Sequence, residues 1–215
     1  MTVRVLIADD HAAIRSGLRF ILDGAADIEV VGEAGDGAAA VTNARALRPD
    51  VVLMDIRMPG TDGIAATTTI VEEGLAEVVV LTTFDVDEYV YGALRAGAAA
   101  FLLKTADAVT LVDAVQRVAA GEGVLAPEVT RRLLRTFAEA PTDPQPAEVP
   151  GVAELTDRER EVLAALGRGL SNAELAAELV ISEATVKTHV SRVLTKLGAT
   201  SRLQAAIVAR EAGLA

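Results

Sequence analysis

Six residues of this chain could form one chemical site, because each follows a short apolar run. They are Asp9 and Asp10, Asp55, Thr82 or Thr83, and Lys104. Three carboxylates gathered together repel each other and need a cation, and hard carboxylate oxygens suit Mg²⁺. A hydroxyl and an ammonium group opposite them could balance the charge of a phosphoryl group. Each residue alone could simply cap the following loop, but the whole set favours a phosphoryl site.

Asp55 ends the clearest of these runs, residues 51–54, which contain no polar side chain. Pro59 and Gly60 follow shortly afterwards and prevent a helix or strand from continuing. A short apolar run bounded in this way is typical of a buried strand in a parallel sheet. Asp55 would therefore lie at the carboxyl end of a core strand, as a metal ligand, a nucleophile or a loop-capping residue.

The apolar pattern of the first 120 residues alternates five strands with five helices, which predicts an α/β fold with a doubly wound, five-stranded parallel sheet. The predicted strands are residues 3–8, 28–34, 51–55, 77–83 and 98–103. The predicted helices are residues 12–23, 37–47, 63–71, 86–96 and 107–119. Open parallel sheets bind ligands at the carboxyl ends of their strands, so the six residues named above should share one edge.

The composition excludes several other kinds of site. The chain has 215 residues, 51% of them apolar, and no cysteine, which rules out disulfides, thiolate metal sites and cysteine nucleophiles. No apolar run has the length of a membrane span or a signal sequence, so we expect a soluble, cytoplasmic protein. Only three of the 20 basic residues are lysines. Lys104 therefore indicates that a compact charge is needed at its strand end, although its ammonium could instead reach solvent.

A proline-rich segment divides the chain into two parts. Residues 141–150 contain four prolines, which is typical of a semi-rigid, extended linker. We predict a sheet domain at residues 1–122, a linker with a helix at 127–137 within residues 123–153, and a helical domain at residues 154–215. The net charge of −11 lies entirely before residue 154, because the remainder carries eight acidic and eight basic side chains.

The sequence pattern of the second part predicts four helices. Three start at a capping box, a hydroxyl residue followed three positions later by Glu or Gln. These boxes are Thr156/Glu159, Ser171/Glu174 and Ser201/Gln204. The fourth helix runs from about Ser182 to Gly198, after a tight turn at residues 180–182. A small all-α unit with this turn has the layout of a helix-turn-helix.

The helix at residues 183–197 has one apolar and one polar face. Val186, Val190, Leu194 and Leu197 recur at helical spacing and should face the core. The opposite face carries Lys187, Thr188, Ser191, Arg192 and Thr195, and residues 184–210 contain no acid. A solvated charged face is the common alternative, but an acid-free face on the second helix of the turn favours insertion into the major groove of double-stranded DNA.

The first part resembles the receiver domain of bacterial two-component response regulators. The motifs are Asp9-Asp10, the run Asp-Ile-Arg-Met-Pro-Gly at residues 55–60, Thr82, and Phe-Leu-Leu-Lys at residues 101–104. The resemblance covers about residues 1–120 and implies a flavodoxin-like fold. It also implies that Asp55 takes a phosphoryl group from the phosphohistidine of a sensor histidine kinase.

The same resemblance implies a role for each residue around Asp55. Mg²⁺ would be held by Asp10, Asp55 and the backbone carbonyl of Arg57, with Asp9 acting through water. Lys104 would pair with the phosphoryl group. The hydroxyl of Thr82, or of Thr83 in its place, would move towards the phosphate and let Phe101 turn inward.

The second part resembles the LuxR-type helix-turn-helix at residues 155–163, 171–176 and 185–190, and the whole chain resembles the NarL/FixJ class of response regulators. This resemblance implies base contacts from Lys187, Thr188 and Ser191. Arg192, Lys196 and Arg202 suit contacts with DNA phosphates, which position the module without reading sequence. We expect His189 to pack against the turn, and the resemblance implies that the helix at residues 201–211 dimerises on inverted half-sites.

These patterns together predict a transcription factor rather than an enzyme, in which phosphate on Asp55 favours a homodimer that binds promoter DNA. A phosphatase of the haloacid-dehalogenase type also places an aspartate after an apolar strand, but its second acid, two positions on, is Arg57 here. A DNA-binding regulator that does not depend on phosphorylation is a third interpretation. The complete set of Asp9, Asp10, Asp55 and Lys104 argues against it.

Overall fold

The computed structural model describes residues 2–82, 92–125 and 151–214. The chain divides into two compact units, Met1–Thr136 and Phe137–Ala215, which are described separately below. Thr83, most of the predicted helix at residues 86–96, the predicted helix at 127–137 and the prolines of residues 141–150 lie outside the described residues. The domain boundaries at residues 122 and 153 stay predictions.

The first unit is built on a parallel sheet with the strand order β2-β1-β3-β4-β5-β6. Its strands are β1 Val3–Ala8, β2 Ile28–Ala34, β3 Val51–Asp55, β4 Glu77–Thr82, β5 Ala100–Leu103 and β6 Val124–Leu125. The predicted five-stranded parallel sheet is confirmed, and the two-residue β6 is an addition that pairs with β5 beside Ala100 and Phe101.

The helices of the first unit are α1 Ala12–Asp23, α2 Gly37–Leu47, α3 Gly63–Glu72 and α4 Ala108–Ala119, and residues 92–95 are also helical. Three of them begin at an aspartate whose side chain accepts a backbone N–H of the first turn: Asp36, Asp62 and Asp107. Such caps satisfy donors that the helix itself leaves unpaired. These caps explain why the three helices begin at or next to the predicted residues.

The strands are held in place by burial. All five residues of β3 are buried, and Val5, Ile7, Leu53, Leu81 and Val115 lie in one apolar cluster. Burying each such side chain stabilises the fold by about 1.5–3 kcal/mol relative to exposure. The sheet therefore forms a rigid support for the residues at its carboxyl edge.

The second unit contains a 3₁₀ turn at Val152–Glu154 and four helices, α5 Asp157–Gly167, α6 Asn172–Leu179, α7 Glu183–Leu197 and α8 Arg202–Glu211. Complete capping boxes start α5 and α6, as predicted. At α8 Ser201 caps the helix, but the side chain of Gln204 accepts from the backbone N–H and hydroxyl of Thr200, one residue earlier than a capping box requires.

The turn between α6 and α7 has an unusual backbone. Val180 has a φ of 55°, in the left-handed region, and its side chain is 88% exposed. The N–H of Ile181 bonds back to the carbonyl of Ala176 and closes the end of α6. A β-branched residue in this conformation is strained, because its Cβ crowds the backbone. Among the described helices, none is both long and apolar enough to span a membrane.

Candidate functional site

The carboxyl edge of the sheet brings Asp9, Asp55 and Lys104 into direct contact. The Nζ of Lys104 lies 2.7 Å from Oδ2 of Asp9 and 2.8 Å from Oδ2 of Asp55. Both carboxylates are almost completely buried, and the Lys104 side chain is 12% exposed. Asp9 and Lys104 are 95 positions apart in the chain, so their contact depends on the tertiary fold of the sheet.

Backbone contacts fix each of these residues. Asp9 donates its N–H to the carbonyl of Ala34 on β2, and its own carbonyl accepts from Nη1 of Arg15 at 2.7 Å. Its Oδ1 accepts the N–H of His11 at 2.9 Å, which leaves Oδ2 for Lys104. Lys104 donates its backbone N–H to the carbonyl of Thr82 and so lies beside the end of β4. Sequence reasoning missed Arg15, and no motif marks it.

Asp55 also depends on a glycine. The N–H of Gly63 bonds to the carbonyl of Ile56 at 2.9 Å, so the start of α3 folds back onto the end of β3. A Cβ at position 63 would lie 1.9 Å from the backbone oxygen of Asp55, which no side chain tolerates. Only glycine permits this approach, and it was not singled out from the sequence.

The charges at this edge are unbalanced. Burial raises the pKa of Asp55, the hydrogen bond and charge of Lys104 offset this only in part, and the charge of Asp9 raises it further. Burial alone would lower the pKa of Lys104, but the hydrogen bonds and charges of Asp55 and Asp9 raise it. Lys104 therefore stays cationic, and Asp55 would be stabilised as an anion by any further positive charge.

The residues present fit a hard divalent cation. Asp9, Asp10 and His11 each place a ligand atom within 4.8 Å of the others. Asp10 is partly exposed, and one of its oxygens lies 2.6 Å from Nδ1 of His11. Asp9 and Asp55 share the single ammonium of Lys104, and Asp10 lies beside Asp9, so negative charge remains for a cation to balance. Oxygen donors of this kind suit Mg²⁺.

The remaining predicted residues of this unit lie around the same edge. Thr82 is buried at the end of β4. Arg57 is exposed, and its backbone hydrogen-bonds the Asp55 carboxylate. Phe101 on β5 is fully buried, and its movement on phosphorylation stays a prediction.

In the second unit, α7 has an exposed polar face and a buried apolar face. Lys187, Thr188, Ser191 and Arg192 are all exposed, as predicted. Val186, Val190 and Val193 are buried, and Leu194 and Leu197 pack against the same core. Val193, which was not among the predicted core residues of this helix, is buried there as well. His189 is half-buried, and its Nδ1 is buried with no hydrogen-bond partner among the described residues, which suits packing rather than base contact.

Lys196 and Arg202 do not belong to the exposed polar face of α7. The Nζ of Lys196 lies 2.6 Å from Oε2 of Glu159 and donates to the carbonyl of Glu154 at 3.0 Å. Arg202 donates to Oδ1 of Asn172 at 2.8 Å and to the carbonyl of Leu170. These contacts argue against the predicted phosphate contacts of both residues, because each cation is already hydrogen-bonded inside its own unit. Of the three predicted phosphate contacts, Arg192 alone lies on the exposed face of α7.

Comparison with known proteins agrees with this division. A family model described as the response regulator receiver domain matches residues 5–116, and one described as bacterial regulatory proteins of the luxR family matches residues 153–209. The transcriptional regulatory protein LiaR of Bacillus subtilis is 41% identical over 208 residues, covering 96% of both chains. The response regulator protein VraR of Staphylococcus aureus is 41% identical over 210 residues, covering 97% of both chains.

Solved structures give the same result. The response regulator ChrA of a heme-sensing two-component system is 42% identical with a TM-score of 0.56, over 100% of this chain and 99% of that one. The two-component response regulator RcsB in a DNA complex is 25% identical with a TM-score of 0.59, over 96% of this chain and 98% of that one. The chain therefore belongs to the DNA-binding two-component response regulators that join a receiver domain to a LuxR-type helix-turn-helix.

Proposed function

We propose that Asp55 is the phosphoacceptor of this response regulator and that a sensor histidine kinase is its donor. The observation that carries the proposal is the contact of Lys104 with both Asp55 and Asp9 at a buried sheet edge. An ammonium held 2.8 Å from the acceptor oxygen can pass to a phosphoryl oxygen as charge develops there. Among the described residues, Asp9 is the other buried carboxylate that forms an ion pair with Lys104.

The reaction is a direct phosphoryl transfer. An Asp55 oxygen attacks the phosphorus of the kinase phosphohistidine, and the new O–P bond forms as the P–N bond breaks. The imidazole leaves with the electron pair and takes up a proton. The pre-formed edge reduces the cost of orientation, because Asp55 and Lys104 already lie in contact before the donor binds.

Mg²⁺ is part of this proposal. Asp10, Asp55 and the backbone carbonyl of Arg57 would hold the ion, with Asp9 acting through water. When bound, the ion neutralises charge on the acceptor carboxylate and on the transferred group. The unbalanced carboxylates described above support this assignment, because Asp9 and Asp55 share the single positive charge of Lys104.

Control of DNA binding would begin at the end of β4. The hydroxyl of Thr82, beside Lys104, would turn towards the phosphoryl group, and the adjoining strand β5 carries Phe101. We propose that the resulting state favours a homodimer that binds promoter DNA at inverted half-sites. Such a switch can be no larger than the difference between the interactions of phosphate with the two states, typically ~1–3 kcal/mol.

We propose α7 as the helix that enters the major groove. Lys187, Thr188 and Ser191 would contact bases, and Arg192 would contact phosphate. The exposure of all four on the side opposite Val186 and Val190 supports this orientation. A cytoplasmic location and a regulatory rather than an enzymatic role complete the proposal, and Arg57 offers no acid–base group for phosphatase turnover.

The test is labelling of the chain with acetyl phosphate in the presence of Mg²⁺. Asp55→Asn should abolish the label, because the amide cannot form the acyl phosphate. The matched control is Asp23→Asn, which changes an exposed aspartate at the end of α1 and should label normally. Persistent labelling of Asp55→Asn would show that another residue is the acceptor.

A further inference from the structure

The segment that leads into α5 within the second unit is packed against the end of α7. Gly151 has a φ of 86°, and a Cβ at this position would lie 2.3 Å from the backbone oxygen of Lys196. The carbonyl of Glu154, three residues further on, accepts a hydrogen bond from the side chain of the same lysine. The backbone and the side chain of Lys196 thus contact the leading segment, residues 151–156, at two separate points.

A buried carboxylate completes the contact. Glu159 in α5 is 5% exposed, and its Oε2 accepts three hydrogen bonds. They come from the N–H of Thr156 at 2.9 Å, the hydroxyl of Thr156 at 3.0 Å and the Nζ of Lys196 at 2.6 Å. One oxygen therefore joins the N-terminus of α5 to the last turn of α7. We call the contacts of Gly151, Glu154, Glu159 and Lys196 the lysine joint.

The hydrogen bonds of the joint favour the ionised form of Glu159. The hydrogen bond from Lys196, with those from Thr156, lowers the pKa of Glu159 from 4.5 to about 2. The carboxylate is thus ionised at neutral pH, and the ammonium of Lys196 is held by it. A cation bound in this way has little free charge to offer a DNA phosphate.

We propose that Lys196, Glu159 and Gly151 are positioning residues that set the orientation of α7 for reading DNA. The inference rests on the proposed insertion of α7 into the major groove. Base contacts from Lys187 and Thr188 require the helix axis to be placed accurately, and the apolar core leaves the last turn of α7 only partly buried. The lysine joint holds that turn against α5 and the leading segment.

The two possible roles of Lys196 predict opposite effects of Glu159→Gln. If Lys196 contacts phosphate, loss of the Glu159 charge frees the ammonium and DNA binding becomes tighter. If the joint positions α7, the same change loosens the helix and DNA binding becomes weaker. We expect roughly tenfold weaker binding, equivalent to about 1.4 kcal/mol.

The experiment uses the full chain with acetyl phosphate and Mg²⁺, and a duplex selected from random sequence by binding to it. Dissociation constants are measured over a range of salt concentrations for the wild type, Glu159→Gln, Lys196→Met and Arg192→Ala. Arg192→Ala should reduce the dependence of log K on log salt by about one phosphate contact. Glu159→Gln and Lys196→Met should weaken binding to the selected duplex and leave that dependence unchanged.

A third variant separates orientation from charge. Gly151→Ala changes no charge, but its Cβ would collide with the backbone of Lys196, so it should weaken selective binding in the same way. Circular dichroism measures the temperature at which each variant begins to unfold. DNA binding is compared at a temperature at which all the variants are folded. Tighter binding by Glu159→Gln, or a reduced salt dependence in Lys196→Met, would overturn the inference.

The outcomes also separate this inference from the proposed function. If Lys187→Ala and Arg192→Ala leave DNA binding unchanged, the orientation of α7 itself is wrong. If those two variants behave as expected while Glu159→Gln and Gly151→Ala bind like the wild type, only the positioning role fails.

Discussion

The two units each contain a lysine bound to a buried carboxylate, and the two pairs differ in what surrounds them. Lys104 lies 2.8 Å from Asp55, and Lys196 lies 2.6 Å from Glu159. The two carboxylate side chains are 7% and 6% exposed. Nevertheless the pKa of Asp55 is raised, by burial above all, whereas that of Glu159 is lowered to about 2, chiefly by its hydrogen bond from Lys196.

The difference lies in the neighbours of each carboxylate. Asp55 must share its lysine with Asp9, so the edge of the sheet keeps an excess of negative charge. Glu159 receives two further hydrogen bonds from Thr156, and no second acid among the described residues pairs with Lys196. An unsatisfied site of the first kind is suited to bind a cation and a phosphoryl group, and a satisfied one is suited to hold helices together.

The largest effect on phosphoryl labelling is expected from Gly63→Ala. The glycine contacts the backbone of Asp55, and the first lysine pair exists only while Asp55 lies beside Lys104. The added Cβ would lie 1.9 Å from the backbone oxygen of Asp55. We expect about 1–3 kcal/mol of destabilisation and loss of most acetyl phosphate labelling. Chemical denaturation and labelling measure the two effects. The control Gly17→Ala adds its Cβ in open space and should label normally; normal labelling of Gly63→Ala would contradict the proposed geometry.

The third lysine, Lys187, belongs to neither pair and therefore provides an independent test of the comparison. Lys187 is exposed on α7 and forms no ion pair with any carboxylate of the described residues. Lys187→Ala should reduce discrimination between the selected duplex and random DNA by ~1–3 kcal/mol per lost base contact. Arg192→Ala should instead weaken both duplexes about equally. Competition binding distinguishes these results, and identical behaviour of the two variants would disprove the assigned roles.

The opposite pKa shifts predict opposite changes in stability. Asp55 has a raised pKa, so its ionisation at neutral pH disfavours the folded state, and Asp55→Asn should raise the free energy of unfolding. Glu159 has a lowered pKa, so its contribution is complete above pH 4.5 and is lost as the pH falls towards 2. Glu159→Gln should therefore destabilise the chain at neutral pH.

Denaturation of the metal-free full chain at pH 7 and at pH 3 measures these changes. Destabilisation by Glu159→Gln should shrink at the lower pH, because the wild type has then begun to lose the same interaction. The comparison fails if Asp55→Asn and Glu159→Gln change the stability in the same direction at pH 7.

The smallest effect is expected in the turn before α7. Val180→Gly removes a β-branched side chain from a left-handed backbone conformation and should stabilise the second unit by about 1 kcal/mol. Val180→Ala is the control and should gain less, because alanine keeps the Cβ that causes the strain. Thermal denaturation measures both, and a loss of stability in Val180→Gly would show that the exposed valine makes a stabilising contact.

Most of the fold was predictable because strong local signals mark its elements. The uninterrupted run before Asp55 and the breakers after it predict β3 to the residue, and β1 and β2 agree equally well. Hydroxyl and acidic caps predict the starts of α5 and α6. The two-residue β6 was not predicted, since a strand this short has no periodicity and owes its existence to pairing with β5.

The part of the site that depends only on the order of the strands could be predicted from the sequence. Asp9 and Asp55 lie at the carboxyl ends of the neighbouring strands β1 and β3, and Lys104 follows β5, which is separated from β3 by β4. All three strands are parallel, so these residues lie at the same edge of the sheet, where the lysine contacts both carboxylates. The partner of Lys196 did not follow, because Glu159 is 37 positions away and was recognised only as part of a helix cap. Whether a surface cation is free or paired depends on tertiary packing, and helical periodicity does not contain that information.

The central claim is that phosphorylation of Asp55 controls DNA binding, and one measurement tests it most directly. The affinity of the full chain for a duplex selected from random sequence is measured with and without acetyl phosphate in Mg²⁺, for the wild type and for Asp55→Asn. The wild type should bind about 5–150-fold more tightly with acetyl phosphate, and Asp55→Asn should not respond. Equal wild-type affinity under both conditions would contradict the account and favour a regulator that binds DNA without phosphorylation.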